Sequence, residues 1–502
     1  MRLNQILFIG TTFLILIPIF GYAYSPPLVC LQDNQCVSGV TMNATKTRKF
    51  DAFFGIPFAK PPVGDLRFAD PQPPEKWNGT ISCDSEKPMC LQKNVLVPNP
   101  TVTGNEDCLY LNVYRPRTAR GLIFQKKLPV MIFIHYGGLF SGAITPLLLG
   151  PEYFMETGTV ILVMMQYRLG SLGFLSTGDS ECPGNFGFKD QTMAMKWVKN
   201  HIENFGGNPN SVTIFGQSAG AVPNAENLNS SKIVEELRKV NAKSLVESSD
   251  KMKFWSVDPI VLFRTVIEPA GPSAFISENP IDTVRTGNYK HVPWMMGLVP
   301  NEGTVRATAI LTNDTDLKEL NNRFDELMPE LMQINVTREE LADYWPKVKD
   351  FYFNGQSYVN DTNWQRFVDI YSHRAFYHPF YKTVQAYISY ADIEQNPIYL
   401  YKFAYKGNYS YSMLFTGTTK DYGVGHCDDL IYLFNSPVIF PKGLSEDSLD
   451  EKMKNILVRT YVTFAMSGRP KEWTAVPACQ KIHSIQFVLI NNFPIHLMEK
   501  FK

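Results

Sequence analysis

The stretch Gly216-Gln217-Ser218-Ala219-Gly220 follows directly on a short apolar, β-branched run, residues 211–215 (SVTIF). Such a run is typical of a buried strand. A Gly-x-Ser-x-Gly pattern after a strand predicts a strained turn that presents a serine hydroxyl above a sheet, and its glycines let the strand and the following helix approach closely. Taken alone, the pattern also fits an ordinary glycine-bounded turn, so its meaning depends on the rest of the chain.

Two apolar runs upstream, residues 128–135 and 160–167, predict two more buried strands. Between them and the serine turn, residues 189–205 repeat apolar side chains at helical spacing and end at Gly206-Gly207. This alternation of strands and helix predicts an α/β fold with a largely parallel sheet.

The C-terminal third is more helical in pattern. Its clearest helix is predicted from Ser448, which fits a capping box with Glu451, to Ser467, where Gly468 ends it. Residues 487–490 (FVLI) read as a late strand with no final helix after it, which suggests a shortened C-terminus. No repeat and no linker divides the chain, so a single domain over residues 24–502 is predicted.

Charge and composition exclude several classes of function. Lys+Arg and Asp+Glu are 48 each in 502 residues, so nothing suggests binding to nucleic acid or to an anionic membrane surface. The hydrophobic content of 44% is ordinary for a globular protein with a real core. Neither a Cys-x-x-Cys nor a His-Glu-x-x-His pattern is present, so no metal site is predicted.

The N-terminus predicts secretion. Arg2 precedes an apolar stretch over residues 6–20, and small residues place a cleavage site after Ala23. A membrane anchor is the alternative, but the stretch is shorter than the roughly 20 residues needed to span a bilayer. A secreted chain would be glycosylated at some of its seven Asn-x-Ser/Thr sites, which are Asn43, Asn78, Asn229, Asn313, Asn335, Asn360 and Asn408.

Three motifs make the pattern specific. Residues 54–68 (FGIPFAKPPVGDLRF), residues 106–113 (EDCLYLNV) and the region around Ser218 are similar to the three signatures of the type-B carboxylesterases, the cholinesterase-like branch of the α/β-hydrolases. The Gln217 variant and residues 423–429 (GVGHCDD) most resemble insect juvenile-hormone-esterase-like enzymes. The resemblance covers nearly the whole mature chain. It implies a large, mostly parallel central sheet with helices on both faces.

Ester hydrolysis of this type needs a nucleophile, a base and an orienting acid. Ser218 is the candidate nucleophile. The resemblance implies that Glu302, in residues 300–303 (PNEG), is the acid and that His426 is the base. Alone, Glu302 fits a surface turn and His426 a packing histidine, but together the three keep the Ser, acid, His chain order of this fold.

The oxyanion of the reaction would be held by backbone N–H groups of Gly137, Gly138 and Ala219. Adjacent glycines let the backbone approach a substrate carbonyl closely. The family has a further glycine where this chain has Tyr136, so we expect Tyr136 to alter the shape of the pocket more than the stabilisation of charge.

The resemblance also implies structural contacts. Cys90 and Cys108 match the first disulfide of the family, and Cys30 and Cys36 are a candidate pair for a local loop. Two structural ion pairs are implied, Arg67 with Glu106 and Arg168 with Asp190. Four cysteines stay unpaired in this reading: Cys83, Cys182, Cys427 and Cys479.

The chain departs from the family after Gly220. No apolar strand lies between Ala221 and Phe254, where a polar helix from about Ser231 is predicted instead. The sheet strand that normally follows the nucleophile helix is therefore expected to be absent. Two explanations stay open: a segment lost by splicing or by a gene-model error, which we favour, or a shift of residues 260–267 into the vacancy.

The sequence thus predicts a secreted serine carboxylesterase that needs no cofactor and acts on small apolar esters, with juvenile-hormone-like esters as one candidate class. The alternatives are a non-catalytic binding or adhesion protein on the same fold, or an inactive variant. Neither the oligomeric state nor the acyl and alcohol preference follows from the sequence.

Overall fold

The computed structural model describes residues 25–117, 127–218, 231–439, 441, 443–470 and 488–489. The predicted leader, residues 1–23, lies outside them. The strands are β1 (Leu28–Cys30), β2 (Gln35–Ser38), β3 (Val40–Asn43), β4 (Lys49–Pro57), β5 (Gly79–Ser82), β6 (Gln92–Lys93), β7 (Val102–Thr103), β8 (Tyr110–Pro116), β9 (Leu128–Ile134), β10 (Ile161–Met165), β11 (Gly207–Gly216), β12 (Trp294–Leu298), β13 (Ile398–Lys402) and β14 (Val488–Leu489).

The helices surround these strands and dominate the C-terminal half. They are α1 (Pro146–Leu149), α2 (Glu152–Thr157), α3 (Gly170–Phe174), α4 (Phe186–His201), α5 (Ser231–Lys239), α6 (Ala242–Ser248), α7 (Pro280–Thr286), α8 (Thr304–Leu311), α9 (Asp314–Asn322), α10 (Phe324–Leu331), α11 (Arg338–Phe353), α12 (Trp364–Ser372), α13 (His378–Tyr390), α14 (Ser412–Thr416) and α15 (Leu449–Ser467). A π-helical turn, His373–Tyr377, joins α12 to α13. Both helices predicted in detail are confirmed: α4 continues as a 3-10 turn to Phe205, and Ser448 caps α15.

A six-stranded sheet in the order β11-β9-β10-β8-β4-β3 forms the larger part of the core. The predicted parallel pairing is found among β11, β9 and β10. The pairs β10–β8, β8–β4 and β4–β3 are antiparallel, so the sheet is mixed. A parallel pair needs a long crossover, usually through a helix, and among the residues described from β3 to β11 such helices follow β9.

Helices cover both faces of this sheet. On one face α4 and its 3-10 turn pack on the strands, with the rings of Phe205 and Phe53 edge to face at 5.1 Å. On the other face α2 and α15 enclose a cluster in which the Phe133 ring lies 4.6 Å from Phe434, and Phe154 lies 5.5 Å from Phe434. The Ser218 strand, β11, lies at the edge of this core and is itself only partly covered.

The second sheet, β12-β13-β14, is parallel and separate from the first. Within the described residues β11 pairs only with β9 and β12 only with β13, so each of these two strands is an edge of its sheet. Val212 and Ile214 on β11 are 38% and 53% exposed, as expected for a strand that lacks a neighbour and a covering helix. No strand lies between β11 and β12 among the described residues, as the sequence predicts.

The alternative that residues 260–267 move into the vacancy is wrong. All eight residues are described, and none of them belongs to a strand. The Asn185 side chain instead donates to the Val266 carbonyl oxygen and accepts from the Val266 N–H. The Asn185 side chain thus satisfies both backbone polar groups of Val266. Phe263 packs against the hydrophobic cluster between the sheet and α4.

Side chains, not strands, connect the two sheets near the serine. The Tyr461 ring on α15 lies 5.9 Å from Phe215 at the end of β11. Its hydroxyl lies 2.8 Å from the hydroxyl of Tyr401 on β13. We call Phe215, Tyr461 and Tyr401 the aromatic bridge; it spans from the strand that precedes Ser218 to the sheet that precedes Glu302.

The segment that replaces the missing strand is anchored on an ion pair. Arg67 binds Glu106 through two hydrogen bonds of 2.7 and 2.6 Å. Its other amino group donates to the carbonyl oxygens at the C-terminal end of α5, those of Leu237, Arg238 and Val240. The guanidinium thus caps the C-terminal end of α5.

The predicted disulfide between Cys90 and Cys108 is present, and so is the candidate pair Cys30–Cys36. Three cysteines are free and buried: Cys83, Cys182 and Cys427. Cys479 lies outside the described residues, as does the predicted glycosylation site Asn229. The other six such asparagines are exposed: Asn43, Asn78, Asn313, Asn335, Asn360 and Asn408.

Candidate active site

Ser218 stands two residues beyond the end of β11, with a backbone φ of +62°. A residue other than glycine rarely adopts this left-handed conformation, which costs on the order of 1–3 kcal/mol and persists where surrounding structure enforces it. The side chain is exposed. The strained turn predicted from the Gly-x-Ser-x-Gly pattern is therefore present at the serine itself.

Glu302 lies between β12 and α8 and is 6% exposed. One carboxylate oxygen, Oε1, accepts a 2.9 Å hydrogen bond from the Val299 N–H. The other, Oε2, lies 2.5 Å from Nδ1 of His426. Because the Val299 contact fixes the carboxylate, Glu302 holds the imidazole in one orientation.

His426 joins the acid to the serine. Its Nε2 lies 2.8 Å from Oγ of Ser218, on the opposite side of the ring from Glu302. Its backbone N–H donates to Thr304 Oγ1 at 3.0 Å, and a Cβ on neighbouring Gly425 would stand 2.6 Å from the same oxygen. Gly425 thus allows the loop that carries the base to lie against the loop that carries the acid. The structure brings Ser218, Glu302 and His426 together in one hydrogen-bonded chain.

The pKa of His426 sets an expected pH dependence. Burial disfavours the imidazolium, but contacts with Cys427 and with the Glu302 carboxylate favour it, so the pKa of His426 lies well above its ordinary value. Burial also raises the pKa of the Cys427 thiol, so near neutral pH Glu302 supplies the negative charge. A general base must be neutral, so kcat/KM should fall as the pH drops through a pKa above 6.5.

This prediction is checked by measuring kcat/KM against pH with a neutral ester. The acid limb should have its midpoint above 6.5. In Glu302→Gln it should move to lower pH, because the amide no longer stabilises the imidazolium. A wild-type midpoint at or below 6.5, unchanged in Glu302→Gln, would show that the carboxylate does not act on the base.

The candidate oxyanion loop lies beside the serine turn. Gly216 pairs with Ile134 in the parallel register of β11 and β9, so Ser218 and the residues after Ile134 emerge at the same sheet edge. Gly137 and Gly138 have φ of +113° and +60°, and a Cβ on Gly137 would stand 2.0 Å from a backbone oxygen. Glycine is therefore required at Gly137. Ala219, the third predicted donor, lies outside the described residues.

Three further contacts at the base were not predicted. The Gln217 amide lies 3.1 Å from His426 Nε2, and the Cys427 thiol donates to the Gln217 amide oxygen at 3.3 Å. The ring of Phe376, in the π-helical turn, lies 4.9 Å from the imidazole. Adjacency to Ser218 and His426 could have suggested Gln217 and Cys427, whereas no local signal marks Phe376. Within the described residues no group of acidic, histidine or cysteine side chains could hold a metal ion.

Comparison with known proteins agrees with this geometry. Over residues 33–224 and 223–492 the chain matches the model of the carboxylesterase family, in two stretches that meet just beyond the serine turn. It is 39% identical to juvenile hormone esterase of Tribolium castaneum, over 90% of this chain and 85% of that protein. It is 32% identical to venom carboxylesterase-6 of Apis mellifera, over 91% of both chains.

The fold is matched as well. The crystal structure of juvenile hormone esterase from Manduca sexta, with OTFP covalently attached, superposes with a TM-score of 0.77 at 23% identity. The match covers 94% of this chain and 96% of that one. The predicted α/β-hydrolase fold is confirmed, and the chain belongs to the carboxylesterase family.

Proposed function

We propose that this chain is a secreted serine carboxylesterase that hydrolyses apolar carboxylic esters through an acyl-enzyme. The observation that carries the proposal is the continuous hydrogen-bonded chain from Ser218 Oγ through His426 to Glu302. This is the arrangement of a nucleophile, its base and an orienting acid. The mature chain would be one domain over residues 24–502.

In the proposed reaction Ser218 Oγ attacks the ester carbonyl while His426 Nε2 takes the hydroxyl proton. Glu302 stabilises the imidazolium, and the N–H groups of Gly137, Gly138 and Ala219 receive the oxyanion. The carbon–oxygen bond to the alcohol breaks, and His426 gives its proton to the leaving alkoxide. Water then attacks the acyl-enzyme with the same base, which releases the acid and restores Ser218.

A small cleft of mixed lining lies beside the candidate oxyanion loop. Its accessible volume is small, about 40 Å³, and it opens to solvent. Its lining includes apolar side chains, such as Leu91, Phe140 and Phe263, and two lysines, Lys93 and Lys253. Phe140 also contacts the oxyanion loop, since a Cβ on Gly138 would stand 2.5 Å from its ring. The proposed substrate, an apolar and juvenile-hormone-like ester, therefore rests on the similarity to juvenile hormone esterase of Tribolium castaneum and not on the size of this cleft.

Export from the cell is supported by the covalent features. Cys30–Cys36 and Cys90–Cys108 are disulfides, which persist in oxidising compartments. Six asparagines in glycosylation sequences are exposed, so an oligosaccharide could be attached without unfolding. In the part of the chain that the structure describes, none of the helices has both the length and the apolar character to cross a membrane.

A fluorophosphonate probe tests the proposal, because it is attacked only by an activated serine. Purified protein should incorporate one equivalent of probe, mapped by mass spectrometry to the peptide containing Ser218, and should lose hydrolysis of a chromogenic short-chain ester in parallel. The open edge of β11 favours the alternative of an inactive or binding protein. That alternative gains if well-folded protein takes up no probe and hydrolyses no ester.

A further inference from the structure

Asp428 is a buried carboxylate beside the active site with no part in the reaction above. It is 4% exposed. Its Oδ2 accepts a 2.7 Å hydrogen bond from the Gly425 N–H, and its Oδ1 accepts from the Tyr411 N–H at 2.7 Å and from the Ser410 hydroxyl at 3.0 Å. All three partners are donors, and none is a cation. One carboxylate therefore joins the loop that carries the base to a separate turn at the start of α14.

The loop that Asp428 holds is strained. Cys427, between the base and Asp428, has a φ of +75°. The Asp428 side chain reaches back across this residue to the Gly425 N–H, and the Asp428 N–H donates to the Gly425 carbonyl oxygen at 3.1 Å. A left-handed cysteine costs free energy and persists only where contacts enforce it. The two contacts with Gly425 enclose His426 and Cys427 in a closed turn.

The opposite side of the same loop rests on the acid. Asn301 and Gly425 form an isolated parallel bridge, and His426 N–H donates to Thr304. Glu302 lies between Asn301 and Thr304. The base is thus held from two sides, by the acid loop on one and by Asp428 on the other.

Asp428 also connects the base to the oxyanion loop. The ring of Tyr411 is buried and lies edge to face with the ring of Tyr136 at 6.0 Å. Tyr136 directly precedes the two glycines of the candidate oxyanion loop. A path of direct contacts therefore leads from Gly425 through Asp428 and Tyr411 to Tyr136.

We propose that Asp428 is a positioning residue, which sets the distance between His426 and the oxyanion loop by binding Gly425 with one carboxylate oxygen and the Tyr411 turn with the other. The proposal rests on the proposed esterase function. A carboxylate is required because both oxygens must accept. An asparagine would satisfy one backbone N–H and turn an amide N–H against the other.

The charge of Asp428 adds a pH signature. Burial raises the pKa of Asp428 to about 7, against the hydrogen bonds from Tyr411, Gly425 and Ser410. The strongest charge effects involve Asp429, Tyr411 and Tyr432, and none of these three is cationic. As the pH falls below about 7, Asp428 gains a proton and one oxygen ceases to accept. The acid limb of activity should therefore involve two protons, one on His426 and one on Asp428.

The test compares Asp428→Asn with a matched control, Glu268→Gln. Glu268 is also buried, at 3% exposure, and its Oε1 accepts three hydrogen bonds, from Asn185 and from two backbone N–H groups; unlike Asp428, it also pairs with a cation, since its Oε2 lies 2.7 Å from Lys189 Nζ. Hydrolysis and fluorophosphonate labelling are measured against pH. Proton NMR follows the low-field resonance of the hydrogen between His426 Nδ1 and Glu302, which reports the geometry of the base without turnover.

In Asp428→Asn we expect kcat to fall by about 100-fold with little change in KM, the cost typical of a catalytic group displaced by about 1 Å. The acid limb should drop to one proton, and the low-field resonance should shift or broaden. Glu268→Gln should change none of these. A parallel response of the two variants, or an unchanged resonance in Asp428→Asn, overturns the proposal. A wild-type chain that neither labels nor hydrolyses refutes the esterase function, and the resonance still tests Asp428.

Discussion

Replacing Ser218 with alanine is expected to lower kcat/KM for an apolar ester by about 10⁴-fold or more, because the variant keeps the oxyanion donors and the substrate cleft but has no atom to acylate. The fold should be unaffected. Among the described residues the hydroxyl is hydrogen-bonded to His426, and alanine meets the same backbone strain at a φ of +62° as serine does. Steady-state kinetics with a chromogenic ester measure the loss, and fluorophosphonate labelling should vanish with it.

Ser248→Ala is the matched control for this change. Ser248 ends α6, is exposed, and donates only to the Leu245 carbonyl oxygen of its own helix. Its loss should leave kcat/KM within experimental error. Hydrolysis retained by Ser218→Ala at the wild-type rate would mean that the activity comes from another site or from a contaminating esterase.

The largest expected effect on stability follows from breaking the buried pair of Arg168 and Asp190. Arg168 is 3% exposed and Asp190 is fully buried. Nε and Nη2 donate to the two carboxylate oxygens at 2.8 and 2.7 Å, and the Arg168 backbone N–H donates to the same carboxylate at 3.0 Å. In Arg168→Met the carboxylate stays buried without a cation, which costs about 3–5 kcal/mol. Urea unfolding at neutral pH measures this loss of free energy.

A double variant separates two effects of Arg168→Met: the loss of the ion-pair attraction, and the burial of an unpaired Asp190 carboxylate. Arg168→Met with Asp190→Asn leaves no buried charge, so it should recover part of the free energy of unfolding lost in the single variant. Arg323→Met, at an exposed arginine that pairs with Glu319 and Glu326, should change stability little. Equal destabilisation by Arg168→Met and Arg323→Met would show that burial of the pair is irrelevant.

Local patterns predicted the elements that depend on local sequence. The strands β9 and β10 and the helices α4 and α15 follow from apolar periodicity and from caps such as Ser448 and Gly468. The order Ser218, Glu302, His426 was available from spacing and from family motifs. The three residues meet because Ser218 follows β11, Glu302 follows β12, and the loop with His426 lies against the Glu302 loop.

Several features that depend on contacts between distant segments could not be predicted from local sequence patterns. To predict the antiparallel half of the sheet, one must know that β4 pairs with β8, which lies more than fifty residues away and is reached without a crossover helix. The aromatic bridge joins Phe215 to Tyr461 across more than two hundred residues. The contact of Phe376 with His426 depends on a π-helical turn, which no residue in the sequence signals.

The aromatic bridge changes what maintains the alignment of the catalytic groups. In a continuous sheet, a ladder of backbone hydrogen bonds would fix the nucleophile strand relative to the acid strand, and side-chain changes would leave that ladder intact. Here the two strands have no such ladder within the described residues, and Tyr461 of α15 lies between them. The alignment of Ser218 with Glu302 and His426 therefore depends on which side chains form the aromatic bridge. A substitution in α15 at Tyr461 would change the distance between Ser218 Oγ and His426 Nε2, across which the proton moves.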